Sequence, residues 1–299
     1  MWSINDMFLF HKNDIDPKIK YPLAQFDNCK SLYTDKNKFF IVNNICPHQG
    51  SLILKEPSES FRCQYHGWSW DDQGKPVDSG FTKICNSSVL ARKEVFETNG
   101  LIFTENIDLK KVLPIDLSYM NLIEQRVDRV FSDYKNIIDV FLDVDHIPCV
   151  HENVYDQIGI EKSADVNWFY FDWGNLQLVE KTGNYSKEYK ESLINNSEEN
   201  IAAAWLTMYP GTMIEWQPGS LFITTCVKKE SYTDVYIFKY KDQRYDRDNW
   251  SINELIWETA WRQDKHQSES IIKTCDVVSH LEESKIHFRN WLKDNDLGI

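Results

Sequence analysis

Two short segments constrain this chain more than any other feature. Cys46-Pro-His48-Gln-Gly50 and Cys63-Gln-Tyr-His66-Gly67-Trp68 each offer one thiol and one imidazole. Thiolates are strong, charged ligands for iron and neutral imidazoles weaker ones, so one of each from two loops suits a two-iron, two-sulfide cluster. In that arrangement Cys46 and Cys63 ligate one iron, and His48 and His66 ligate the other. Imidazole ligation leaves the cluster less negative and raises its potential above that of an all-cysteine centre. Gly50 and Gly67, following the ligands, let backbone N–H groups approach the sulfides without a Cβ in the way. A Cys2His2 zinc site has the same ligand inventory, but zinc modules usually pair Cys with Cys and His with His along the chain. Here each loop contributes one of each, spaced C-x-H and C-x-x-H.

The flanking sequence reads as a small antiparallel β domain. From Tyr21 to about Glu105 the strand-like runs SLYT, FFIVNNI, FRCQYHGWSW and GLIFTEN alternate with turn signals such as DDQGKP. The polar segment Asn106–Asp116 reads as a connection, which gives domains of 1–115, carrying cluster loops 46–50 and 63–68, and 116–299. In the second domain, Tyr134–Val150 is apolar at irregular helical spacing. Trp168–Glu180, Ala202–Met213, Leu221–Lys228 and Thr233–Tyr240 are β-rich and predict a second sheet. A long helix is expected from Ser251 to about His280, with Ile252, Leu255, Ile256, Ala260, Ile271 and Ile272 at helical offsets after a Ser cap.

Composition excludes some partners. The chain has 299 residues and a net charge of −13, and a surface of that sign repels phosphate backbones and anionic lipid. Neither nucleic acid nor a membrane is therefore an expected partner. No apolar run reaches membrane-spanning length, no secretory signal is visible, and seven scattered cysteines suit a reducing compartment, so the protein reads as cytoplasmic.

A second constellation lies in Asn136–His151, where Asp139, Asp143, Asp145, His146 and His151 punctuate a mostly apolar run. On a helix Asp139, Asp143 and His146 fall at i, i+4 and i+7 and share a face. Pro148 is expected to distort the turn and bring His151 round beside His146. A bland alternative is a core helix with satisfied histidines at a cap. Two His ligands need a carboxylate to complete a facial triad, which leaves positions open on Fe(II). Asp264 is the candidate, seven residues after Trp257 on the stripe that Trp257, Trp261 and Ile271 mark as inward; Glu258, Glu269 and Asp276 are weaker competitors. An Asp that merely caps, or pairs with Arg262 or Lys265, is the other reading.

CPHQG and CQYHGW resemble the two loops of a Rieske cluster domain, with Gln49 where many oxygenase relatives carry Arg. Asp139, Asp143, His146 and His151 resemble the acid-x3-Asp-x2-His-x4-His motif of Rieske non-heme iron oxygenase alpha subunits, and Gln263-Asp264-Lys265 is similar to that family's third-ligand region. The resemblance implies an α+β chain, an N-terminal antiparallel β Rieske domain followed by a helix-grip catalytic domain in which an antiparallel sheet wraps a long C-terminal helix. It implies a [2Fe-2S] cluster and one Fe(II) per chain, the latter held by His146, His151 and Asp264. Asp143 would link His146 to His66 of a neighbouring subunit in a head-to-tail homotrimer, and Asp139, where relatives often have Glu or Asn, would support it from behind. The implied reaction is O2-dependent hydroxylation, cis-dihydroxylation or oxidative demethylation of a small aromatic, heterocyclic or quaternary ammonium substrate. NAD(P)H would act through a separate reductase or ferredoxin, since no nucleotide-binding run is present. A Rieske electron carrier or redox sensor without catalytic iron is the alternative. Trp168, Trp173, Trp205, Trp216, Phe141 and Met208 are candidate pocket residues, although aromatics in strands are usually core.

Overall fold

The computed structural model describes residues 8–77, 88–113, 115–151, 166–180, 201–245, 247–271, 282–295 and 297. The chain divides into two compact units, Met7–Ile107 and Asp108–Ile299, the change falling within the segment that reads as a connection.

The first unit is all β. Strands β1 (Phe8–His11), β2 (Tyr21–Pro22), β3 (Lys30–Asp35), β4 (Lys38–Asn43), β8 (Arg92–Thr98) and β9 (Leu101–Phe103) form one antiparallel sheet in the order β1-β9-β8-β4-β3-β2. Strands β5 (Phe61–Arg62), β6 (Ser69–Trp70) and β7 (Pro76–Val77) form a second, smaller sheet. Tyr33, Val42, Ile53, Leu54, Phe61, Trp68 and Trp70 build a core around Cys46 and Cys63. Asn44, fully buried, pins the first cysteine loop: its amide donates to the carbonyls of Asn28 and Leu54 and accepts the Leu54 N–H at 2.8 Å. A buried Asn with donors and acceptor all satisfied specifies the loop path, because any other path would strand a polar group.

The second unit begins with the short helix α1 (Leu109–Val112) and is built on a seven-stranded antiparallel sheet. Its strands are β10 (Met120–Val130), β11 (Val166–Phe171), β12 (Gly174–Glu180), β13 (Ile201–Met208), β14 (Thr212–Gln217), β15 (Ser220–Lys228) and β16 (Thr233–Asp242), in the order β10-β16-β15-β14-β13-β12-β11. The run Trp168–Glu180 is thus a hairpin rather than one strand, turning at Asp172–Trp173, and Ala202–Met213 likewise spans a turn. Strand β10 has no counterpart in the sequence reading, because Glu124, Arg126 and Asp128 replace apolar residues on its inward face.

Helices α2 (Tyr134–Phe141), α3 (Ile147–Val150), α4 (Arg247–Ser270) and α5 (Glu283–Asp294) complete the unit. Ile137, Ile138, Trp257, Trp261, Phe288 and Leu292 join Phe222, Val235 and Ile237 of the sheet in one core. Three expectations about these helices need correction. Helix α4 starts at Arg247, four residues before the expected Ser cap, and residues 272–281, including Ile272 and Asp276, lie outside the described residues. Ile252 and Leu255 are 56% and 65% exposed, so the buried stripe runs through Ile256, Trp257 and Trp261 instead. The helix through Asp139 stops at Phe141, and Pro148 does not distort it: the proline sits in the first turn of α3, where a missing N–H is tolerated. The break comes earlier, at Asp143, whose φ and ψ of −92° and 89° end the helical path before a single 3-10 turn at Val144–His146.

One row of side chains crosses the whole sheet beneath α4: Trp168, Gln177, Trp205, Glu215, Phe222, Lys239 and Glu124 are successive cross-strand partners, one from each strand. Direct partners in an antiparallel sheet point to the same face. At one end of the row, Lys239, with 2% of its side chain exposed, meets Glu124 at 2.7 Å, Glu254 at 2.9 Å and Glu258 at 2.5 Å. Arg126 adds a two-pronged contact to Glu258 at 2.5 and 3.2 Å. Phe222 stacks on Trp257 at 5.0 Å, and Trp257 on Trp261 at 5.9 Å. Such offset stacks contribute about 1 kcal/mol each beyond their area. Lys239→Met is expected to destabilise the protein by about 3 kcal/mol in denaturant titration, because it leaves three carboxylates converging without their cation.

Candidate metal centres

The two loops of the first unit share one construction. The Cys46 N–H donates to the Ser51 carbonyl and the Cys63 N–H to the Trp68 carbonyl, both at 2.8 Å. The Gly50 and Gly67 N–H groups return to the carbonyls of Cys46 and Cys63 at 2.9 Å. Both glycines have positive φ, 73° and 75°, a conformation that a side chain disfavours, so each loop closes tightly only with glycine there. The result turns the cysteines inward and the histidines outward. Cys46 and Cys63 are 3% and 1% exposed, whereas His48 and His66 lie at the surface with ring centroids 4.7 Å apart. His48 stacks on Trp68 at 4.6 Å.

The thiols sit among donors. Burial opposes ionisation of Cys63, but the Ser51 hydroxyl, 3.3 Å from its sulfur, and the N–H groups of Tyr65 and His66 hold its pKa below the ordinary thiol value. Burial raises the pKa of Cys46, as does the neighbouring Cys63, against N–H donation from His48 and Gln49. Two thiols facing backbone N–H groups, with two imidazoles on the solvent side, are a donor set that fits a [2Fe-2S] cluster. Gln49 is exposed on the first loop, and on the second the Arg62 guanidinium lies against Gly67.

In the second unit His146, His151 and Asp264 converge. His146 Nε2 is 3.1 Å from both His151 Nε2 and Asp264 Oδ1, and His151 Nε2 is 2.9 Å from the same carboxylate oxygen. Three ligands at right angles, each about 2.1 Å from one ion, stand about 3.0 Å apart, so this triangle fits one face of an octahedron. Each ring is held from behind. His151 Nδ1 meets Gln263 Oε1 at 2.7 Å, and His146 Nδ1 meets the backbone carbonyl of Asp143. With Nδ1 donating to an oxygen, Nε2 keeps its lone pair for a metal. Burial opposes the charged form of both groups, but Asp264 raises the His151 pKa, and His146 and His151 together lower that of Asp264. Among the competitors, Glu258 pairs with Arg126 and Lys239, and Glu269 accepts the Phe131 N–H at 3.0 Å.

Asp139 and Asp143 face α5. Asp143 Oδ2 lies 2.7 Å from Lys285 Nζ, and Asp139 Oδ2 lies 2.7 Å from Arg289 Nη2, so two acids four residues apart meet two cations four residues apart. It is thus the Asp143 carbonyl, freed by the end of α2, that reaches His146, while its carboxylate is held by Lys285 and remains 25% exposed. Burial pushes the Asp139 carboxyl above its ordinary value despite Arg289.

Beside the triangle is a cavity, partly open to solvent, walled by Phe141, Val144, Ile147, Trp205, Ile256 and Trp257. Phe141 and Trp205 are therefore cavity residues. Trp216 and Met208 are fully buried and outside this wall, and neither Trp168 nor Trp173 lines it; they stack on Tyr170 and Phe171. Three polar side chains that sequence reasoning missed also face the cavity: Gln177, Glu215 and Gln217. Glu215 accepts the Trp257 indole N–H at 2.8 Å. Burial pushes its carboxyl up to about 7, opposed by that N–H and aided by the Asp264 charge.

Comparison with known proteins agrees with these features. Residues 6–86 match the Rieske [2Fe-2S] domain family. Putrescine 2-hydroxylase of Ralstonia nicotianae is 25% identical over 224 residues, 69% of this chain and 60% of that protein, so the match spans less than two thirds of the relative. The quaternary ammonium Rieske monooxygenase CntA in complex with L-carnitine superposes with a TM-score of 0.68 at 13% identity, covering 99% of this chain and 89% of that one. Naphthalene 1,2-dioxygenase with indole bound gives a TM-score of 0.67 at 14% identity, covering 90% and 75%. The N-terminal unit is a Rieske [2Fe-2S] domain, and the chain as a whole resembles Rieske oxygenase alpha subunits, which are oxidoreductases. Among the described residues no helix is long and apolar enough to cross a membrane.

Gln263→Leu should free the His151 ring and lower affinity for Fe(II) or Co(II) about 10- to 100-fold in titrations of metal-depleted protein, with the visible spectrum of the cluster unchanged.

Proposed function

We propose that this chain is the terminal component of a cytoplasmic Rieske oxygenase, receiving electrons from a separate reductase or ferredoxin and inserting oxygen from O2 into a small organic substrate. The observation that carries this reading is the 2.9–3.1 Å triangle of two Nε2 atoms and one carboxylate oxygen, opening on an apolar cavity. An electron carrier has no need of such a site. Cys46, His48, Cys63 and His66 would hold the [2Fe-2S] cluster, and His146, His151 and Asp264 one Fe(II). When bound, the cluster supplies single electrons and the iron supplies O2 activation.

The chain's own residues do the rest. Gln263 and the Asp143 carbonyl keep the protons of His151 and His146 on Nδ1, fixing both rings with Nε2 inward. Phe141, Val144, Ile147, Trp205 and Ile256 line the reaction space with carbon and restrict water, which protects a reactive oxidant from side reactions. Asp143 would couple this site to His66 of a neighbouring copy in a homotrimer. Lys285 fixes one oxygen of that carboxylate, and the exposed part of the side chain is open to a second subunit. Asp139, locked to Arg289, would hold α2 in place behind it. Putrescine, L-carnitine and naphthalene, named with the relatives, bracket the substrate as a small organic molecule.

Iron and acid-labile sulfide, measured on anaerobically purified protein, are expected at about three irons and two sulfides per chain. Two irons that stay at two after Fe(II) is added would make the protein an electron carrier, and zinc without sulfide would remove the cluster. Asp264→Ala should abolish turnover and lower iron to about two per chain while the cluster spectrum survives. Asp143→Asn is expected to keep both metals and slow electron transfer between the centres about 10- to 100-fold in single-turnover experiments. Normal turnover of that variant would reject the inter-subunit link.

A further inference from the structure

The cavity beside the triangle has an electrostatic feature that its metal ligands do not explain. Apart from those ligands, its lining among the described residues consists of apolar side chains, two glutamines and Glu215, with no lysine or arginine. Glu215 therefore has no lysine or arginine beside it among the described residues. The nearest cation on its row, Lys239, is two strands away and engaged by Glu124, Glu254 and Glu258. Among the described residues the one hydrogen bond to the Glu215 carboxylate is from the Trp257 indole N–H, which leaves other acceptor sites of this cavity-lining group unused. A buried carboxylate with one donor is costly on its own and is stabilised by any ligand that brings a positive charge and N–H groups.

A second unmet group lies on the same row. Gln177 is 1% exposed, lines the cavity, and its Nε2 has no hydrogen-bond partner among the described residues. It is separated from Glu215 by Trp205, the cross-strand partner of both. Two strands apart places their backbones about 10 Å from each other, and their side chains reach into the space above the indole. The arrangement is a negative end, an aromatic floor and a neutral polar end. Trp205, the cross-strand neighbour of Glu215, adds an aromatic ring to the lining, and aromatic faces attract cations.

We propose that the substrate is a small protonated amine, its ammonium held by Glu215, its carbon body lying over Trp205, and a second polar group taken up by Gln177. The open acceptor sites of Glu215 favour an amine that still carries N–H groups over a quaternary ammonium, which has none to donate. A carboxylate substrate would have no lysine or arginine to meet it in this lining. A neutral aromatic would leave both polar groups without partners. This inference deepens the oxygenase reading and rests on it for the word substrate, but the binding it describes is measured without turnover.

The test is calorimetric titration of the anaerobic holoprotein, cluster oxidised, with 1,4-diaminobutane, butylamine and benzylamine against 1-butanol, benzyl alcohol and butyrate. At least one amine is expected to bind, and tighter than its neutral isostere, with butyrate not bound. Glu215→Gln keeps the side-chain volume and an acceptor for Trp257, and should weaken amine binding on the order of 10- to 100-fold. Benzyl alcohol should bind the variant as it binds the wild type, which shows the cavity intact. Amines that bind no better than alcohols, or that ignore Glu215→Gln, would overturn the inference. Iron content and turnover, measured on the same preparations, judge the oxygenase reading separately: amine binding through Glu215 in a protein without a mononuclear iron would refute that reading and leave the binding site standing.

Discussion

Everything in the second unit depends on how α4 is clamped to the sheet. Asp264 can complete a triangle with His146 and His151 only if a helix far away in sequence is positioned to within a fraction of an ångström. Two kinds of contact do this on successive turns. Lys239 draws Glu254 and Glu258 of the helix onto the sheet together with Glu124 of β10, and the Phe222–Trp257–Trp261 stack fills the space beside them. The charges converge and hold the helix in one register, while the rings supply most of the buried area. Trp261 adds an N–H bond to Asp128 at 2.7 Å, one turn before Asp264. A purely apolar seam would bury as much surface but would tolerate a slide along the axis, which the ion pairs forbid.

The same row of seven side chains changes character across the sheet. At the β10 end its charges are paired within the protein, at Lys239 and Glu124; in the middle stand Phe222, Glu215 and Trp205; beyond them Gln177 is buried, its Nε2 without a partner among the described residues. Structural and cavity-facing side chains thus share one line of the sheet, divided by Phe222. What distinguishes the two ends is whether the protein satisfies its own polar groups. Satisfied ones hold α4, and the unsatisfied ones border the cavity.

In the first unit the asymmetry is between inside and outside. Identical loop closures at Gly50 and Gly67 bury two sulfurs and expose two imidazoles. A centre built this way would be insulated on its thiolate side and reachable on its imidazole side, which is where an electron must enter or leave. On the second unit, Asp143 is partly exposed and anchored by Lys285.

How much of this could be read from the sequence follows from how local each signal is. The cysteine–histidine loops and the His146/His151 pair are short-range patterns, so their spacing is legible in the sequence. Asp264 was legible because helical periodicity places it on the stripe of Trp257 and Trp261. Strand β10 escaped notice because charged residues occupy its inward face, and α5 because Phe288 and Leu292 are too few to mark a stripe. Glu215, between Ile214 and Trp216, belongs to no motif, and only the structure shows that the face it points to is covered by α4. Chain chemistry by itself determined which residues can bind metal, since ligand type and short spacing are properties of the sequence. Tertiary structure alone decided which carboxylates meet cations and which face the cavity, because burial and pairing depend on strand register and on the helix laid across it.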